Sequence, residues 1–98
     1  MTQSEAAEEE TMIETREVVI TNSQGLHARP AAVLVETMKS FDAKLSISVG
    51  SKKADCSSIM SVLALGAGSG STAVLEADGP EAAAATEAAV AILTSEEE

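Results

Sequence analysis

Ninety-eight residues suit one small domain, and a 45% apolar composition can build a core, although Phe41 is the only aromatic residue. The missing aromatic surface argues against single-stranded nucleic-acid binding, and a formal net charge of -10 argues against any phosphate-backbone partner. With a single cysteine, Cys56, no intrachain disulfide can form. The first fifteen residues lack the basic and apolar regions of a secretory signal, and no stretch approaches the length of a membrane span. A monomeric cytoplasmic protein without membrane insertion is the expectation.

The charge is uneven. Glu5, Glu8, Glu9, Glu10 and Glu14 precede the first predicted strand, and Glu96, Glu97 and Glu98 follow the last predicted helix. Residues 16–95 then hold eight acids against six bases, a net of -2. Residues 1–15 read as a disordered acidic extension, 16–95 as the folded domain and 96–98 as an acidic tail.

In chain order, residues 16–21 read as a strand. A loop with Gly25 leads to a helix over 28–39, whose Ala31, Leu34, Val35 and Met38 recur at helical spacing. Leu45, Ile47 and Val49 alternate with polar residues as a half-buried strand, and 52–55 form a short return strand. Ser57 or Ser58 caps a short helix through Leu65, which Gly66 ends. Ala73, Leu75 and Ala77 mark a fourth strand. The alanine-rich stretch 81–94 is a helix with Ala82, Ala85, Ala89, Ile92 and Leu93 inward. The order βαββαβα predicts an α+β open-faced sandwich, a four-stranded antiparallel sheet covered on one face by three helices.

The chemistry concentrates in Gly25-Leu26-His27-Ala28-Arg29-Pro30-Ala31-Ala32, which holds the only histidine. His27 falls where a turn becomes a helix. The first backbone N–H groups of a helix lack internal partners, so Pro30 loses little there, and the same groups with the positive dipole end form an anion site. Arg29 adds a five-donor planar fork suited to phosphate. A transient phosphohistidine needs such a combination. Metal binding is a poor rival, because one His and one Cys cannot supply the usual three or four ligands.

This octapeptide resembles the active-site motif of the HPr family, the histidine phosphocarriers of the bacterial phosphoenolpyruvate-dependent phosphotransferase system. The resemblance continues through Ser58-Ile59-Met60, Leu65-Gly66 and Ala77-Asp78-Gly79 and covers about residues 16–94. It implies an HPr-like fold and a carrier, not an enzyme with a free substrate, working without a cofactor or metal. Phosphate would come from Enzyme I onto Nδ1 of His27, with Arg29 neutralising its charge, and pass to IIA domains of sugar permeases. Ser58 matches the serine that an ATP-dependent HPr kinase/phosphorylase modifies in Gram-positive-type systems, and it is also a sufficient helix cap. Ile59, Met60 and Leu63, with Ala32, are the expected apolar docking patch. Two departures stand out. Ser57 precedes Ser58 where Lys is frequent in such systems, and Glu36 lies on a helix face where basic residues are frequent.

Two further readings use the same chain. One is a regulatory HPr-like paralogue, nitrogen-related or catabolite-control, acting through Ser58 and the 59–63 surface; Phe41-Asp42-Ala43 and Gly79-Pro80-Glu81 resemble the nitrogen-related ones. The other is a small-molecule sensor with a ferredoxin-like layout, for which the sequence carries no pocket motif.

Overall fold

The computed structural model describes residues 13–95. Its elements run β1 (Ile13–Val19), α1 (Ala28–Met38), β2 (Lys44–Val49), β3 (Lys52–Asp55), α2 (Ile59–Ala64), β4 (Thr72–Asp78) and α3 (Ala82–Leu93). The strands form one antiparallel sheet in the order β1-β4-β2-β3. The helices lie against one face, as the βαββαβα pattern predicts.

The strand pattern explains that one-sided cover. Along β4, Ala73, Leu75 and Ala77 are buried while Thr72, Val74, Glu76 and Asp78 are exposed. Leu45 and Ile47 of β2 and Val18 of β1 join the buried face. From above come Ala31, Leu34, Val35 and Met38 of α1, the whole predicted stripe. Many of the facing residues are alanines: Ala31, Ala73, Ala77, Ala85 and Ala89 are fully buried. Small side chains let the helices approach the sheet closely, and Ile20, Leu34, Ile47, Leu75 and Leu93 fill the remaining volume.

Three expectations need correction. The first strand begins at Ile13, not Arg16, so residues 13–15 belong to the sheet and not to a disordered extension. They pair with Asp78, Ala77 and Glu76 of β4. Residues 13–17 bury no side chain fully, which leaves no apolar alternation to mark the strand. That strand also stops at Val19, two residues short of its expected end. On α3, Thr86 is buried in place of Ile92, which is only half-buried. Thr86 fits inside because its hydroxyl donates to the Ala82 carbonyl at 2.8 Å. The remaining expected tails, residues 1–12 and 96–98, lie outside the described residues.

The stretches 41–43 and 79–81 prove to be neighbours. The Asp42 N–H donates to Glu81 Oε1 at 2.6 Å, and the Glu81 N–H donates to the Asp42 carbonyl at 3.1 Å. A Cβ on Gly79 would stand 2.7 Å from that same carbonyl. Backbone and side-chain bonds with a close approach thus hold the two stretches together. They lie beyond the C-terminal end of α1, whereas His27 precedes its start.

Cys56 is almost fully buried beside β2. Burial pushes its thiol up to about 12, and the Asp55 carboxylate next to it acts in the same direction. An unfolded thiol ionises near about 8.5, so above that pH only the unfolded chain releases the proton. Stability from this group is complete below that value and falls as pH rises towards 12. The expected loss is about 2 kcal/mol between pH 8.5 and 10 at roughly 1.4 kcal/mol per unit. Urea titrations across this range should show the slope, and Cys56→Ala should flatten it. An equal slope in both proteins would assign it to other groups.

Candidate functional site

The loop from Ile20 to His27 is gripped from two sides. On one side is the segment 66–71 that follows α2. Ile20 donates to Ser71 at 2.9 Å, Gly70 donates back to Ile20 at 2.7 Å, and Leu26 donates to Ala67 at 2.9 Å, all through backbone groups. On the other side is the C-terminal end of α3. The Thr21 N–H donates to the Leu93 carbonyl at 3.0 Å, and Asn22 Nδ2 donates to the carbonyls of Ser95 at 2.7 Å and Ile92 at 3.3 Å.

Within the loop, the Gly25 N–H donates to the Asn22 carbonyl at 3.0 Å. Gly25 has φ +72°, and a Cβ there would stand 2.6 Å from the Ala67 carbonyl oxygen and from Gly68 Cα. Both the backbone conformation and the close approach require glycine. Leu26 then plunges into the core, 3% exposed. The His27 N–H donates to the Gly25 carbonyl at 3.0 Å across a tight turn centred on Leu26.

This turn delivers His27 to the N-cap of α1 with extended backbone, φ -91° and ψ -167°. Its carbonyl accepts the first helical bond, from Ala31 N–H at 3.0 Å, but its side chain makes no capping bond. The imidazole is half-buried and remains available. Ala28 and Arg29 occupy the first two helical positions, so their N–H groups have no residue one turn earlier in the helix to bond. Pro30 is third and has no N–H to orphan. Arg29 is exposed, and the salt bridges among the described residues join Lys39 to Glu36 and Lys53 to Glu76, leaving its guanidinium out.

His27, Arg29 and Pro30 line an open cleft of about 720 Å³, whose far wall is Ala91, Ile92 and Ser95 at the end of α3. His27 and Arg29 thus share one concave surface at the start of α1, where the first helical amides have no partner within the helix. Such an arrangement can hold a tetrahedral oxyanion attached to a ring nitrogen. Among the described residues, no cluster of three or more His, Cys, Asp or Glu could hold a metal ion. No helix there is long and apolar enough to cross a membrane.

The other predicted site residues lie outside this cleft, on and around α2, which packs against α1 and β3. Ser58 is the N-cap of α2: its hydroxyl accepts from the Ser61 N–H at 3.2 Å. Ser57 is engaged instead by Asp55, whose carboxylate accepts its N–H at 3.0 Å and its hydroxyl at 2.9 Å. Those two bonds hold the Asp55 carboxyl below the usual carboxylate range. Ile59 and Met60 are exposed, Met60 by 74%. Leu63 is half-buried against the core, so it contributes less surface than expected. Ala32 is exposed on α1.

Several cleft residues lie beyond the sequence reading, Val33 and Asn22 among them. Val33 is 45% exposed and lines the cleft. Its signal was available: a large apolar residue between the inward positions 31 and 34. Asn22 is buried, and only its contact with residues 92 and 95 gives it meaning. No local pattern carries that.

A family model described as the PTS HPr component phosphorylation site matches residues 14–95. The phosphocarrier protein HPr of Cupriavidus necator is 39% identical over 80 residues, covering 82% of this chain and 90% of that protein. The phosphocarrier protein NPr of Shewanella violacea is 41% identical over 78 residues, covering 80% and 86%. Among solved structures, an HPr from Bacillus anthracis superposes with a TM-score of 0.80 at 32% identity, covering 84% of this chain and 98% of that one.

Proposed function

The chain belongs to the HPr family of phosphocarriers, and on that premise we propose that His27 accepts a phosphoryl group from Enzyme I and passes it to IIA domains. A lone pair on an imidazole nitrogen attacks phosphorus in the donor's phosphohistidine. The new N–P bond forms as the donor's N–P bond breaks, and the donor ring recovers the electron pair. The Arg29 guanidinium and the Ala28 and Arg29 amides hold the charge of the transferred group. The second transfer repeats the step with His27 as donor. The protein is regenerated at each cycle as a monomeric cytoplasmic carrier and turns over no free small substrate.

The observation that supports this reading best is the unused imidazole of His27 at the N-cap of α1, facing an open cleft beside Arg29. The test is to supply phosphoenolpyruvate and Enzyme I and then a panel of IIA domains. One acid-labile phosphoryl group should be gained and then discharged. A chain that gains none overturns the reading.

A nitrogen-related route is the second reading, since the identity to the Shewanella violacea NPr, 41%, stands beside the 39% to the Cupriavidus necator HPr. The same IIA panel separates the routes: the domain that discharges the carrier fastest identifies the pathway.

Ser58 is proposed as a regulatory position acting on the surface formed by Ile59, Met60, Leu63 and Ala32. A phosphate there adds roughly two negative charges beside Ile59 and Met60, which repels an acidic partner surface. Ser58→Ala should lose about 1 kcal/mol with its cap and still transfer fast. Ser58→Asp should stay folded and transfer more slowly. Wild-type transfer by both Ser58→Asp and a phosphoserine form would leave Ser58 a helix cap only.

A further inference from the structure

We propose that Asn22 is a positioning residue for transfer at His27, acting as a side-chain clamp between the two walls of the cleft; this rests on the phosphocarrier reading. Asn22 is 6% exposed, five residues before His27. Its backbone carbonyl accepts from Gly25 N–H at 3.0 Å and so closes the first turn of the loop that carries His27. Its side-chain nitrogen meanwhile holds the carbonyls of Ile92 and Ser95 at the end of α3. Ile92 and Ser95 line the same cleft as His27 and Arg29. One residue therefore fixes both the loop that presents the nucleophile and the wall opposite it.

The orientation of the amide is unambiguous. Turning it over would set Oδ1 against two carbonyl oxygens, with no proton between them. In the observed orientation Oδ1 is buried and has no hydrogen-bond partner among the described residues. The amide nitrogen thus satisfies two carbonyls of the α3 end, while its oxygen is left without a partner at some cost to folding. The loop's grip on residues 66–71 is made by backbone groups. On the α3 side, the Asn22 contact is the side-chain hydrogen bond and can be removed without altering the chain path.

The test uses the full chain with Enzyme I and phosphoenolpyruvate, the carrier varied in concentration. Asn22→Asp keeps the shape and loses the donor; Asn22→Ala loses both; Asn22→Gln keeps a donor amide. Ala85→Gly weakens α3 with the clamp intact. The Asp and Ala variants should lower kcat about tenfold with KM within about twofold, as expected when a reacting group is misplaced and docking is not. Gln should recover part of the loss. Ala85→Gly should lower the melting temperature and leave kcat unchanged. The proposal is overturned if Asn22→Asp transfers at the wild-type kcat, or if Ala85→Gly slows transfer as much for the same fall in melting temperature. A wild-type chain that accepts no phosphate overturns the phosphocarrier reading itself, and the clamp with it.

Discussion

Replacing His27 with Ala should abolish phosphate acceptance from Enzyme I and leave the fold intact. The two parts have separate causes. Acceptance needs a nucleophilic ring nitrogen at the start of α1, and the sequence contains no second histidine. The fold needs only the backbone of residue 27, through its N–H to Gly25 and its carbonyl to Ala31. The imidazole is half-buried and makes no capping bond, so its removal exposes no orphaned partner. The stability change should stay within about 0.5 kcal/mol, the range of ordinary surface substitutions. Circular dichroism and urea unfolding check the fold, and phosphoprotein mass after incubation with Enzyme I checks acceptance. An unchanged phosphate yield in His27→Ala would remove this residue from the mechanism.

Gly25→Ala should have the largest effect on stability among the loop substitutions. A residue with a Cβ resists φ +72° by roughly 1–2 kcal/mol. The new methyl would also stand 2.6 Å from Ala67 O and Gly68 Cα and 2.9 Å from Gly68 C. All three are backbone atoms, which cannot swing aside as a flexible side chain can. Relief requires the 66–71 segment to move away, and the 2.9 Å bond from Leu26 to Ala67 lengthens with it. The combined loss should be about 2–4 kcal/mol. Gly50→Ala is the matched control, since Gly50 also has positive φ, +64°, but a Cβ there meets nothing within 4 Å. It should lose only the conformational part. Denaturant midpoints for the two variants separate the effects; equal losses would mean the 66–71 contact is easily remade.

Much of the architecture is legible where burial is one-sided. The stripe at 31, 34, 35 and 38 and the alternation along 73–77 are both fully realised. The start of β1 is not legible, because residues 13–17 bury no side chain fully and a strand held mainly by ladder bonds has no hydrophobic signature. Thr86 is not legible as a core residue, because its hydroxyl is polar until its bond to the Ala82 carbonyl satisfies it. The sheet order, with β4 between β1 and β2, depends on pairings across most of the chain, which local periodicity does not encode. The site divides in the same way. His27 and Arg29 are legible because a helix start, a turn glycine and a cation stand together in a short motif. Asn22 is illegible because its partners lie 70 and 73 residues away.

The most direct test of the account locates the phosphoryl group itself. Wild-type chain is phosphorylated with phosphoenolpyruvate and Enzyme I, its intact mass is recorded before and after mild acid, and the acid-protected digest is mapped. The account predicts one phosphoryl group, lost in acid and stable in alkali, on the peptide containing His27. No gain of mass, or an acid-stable group on the peptide containing Ser57 and Ser58, would contradict it.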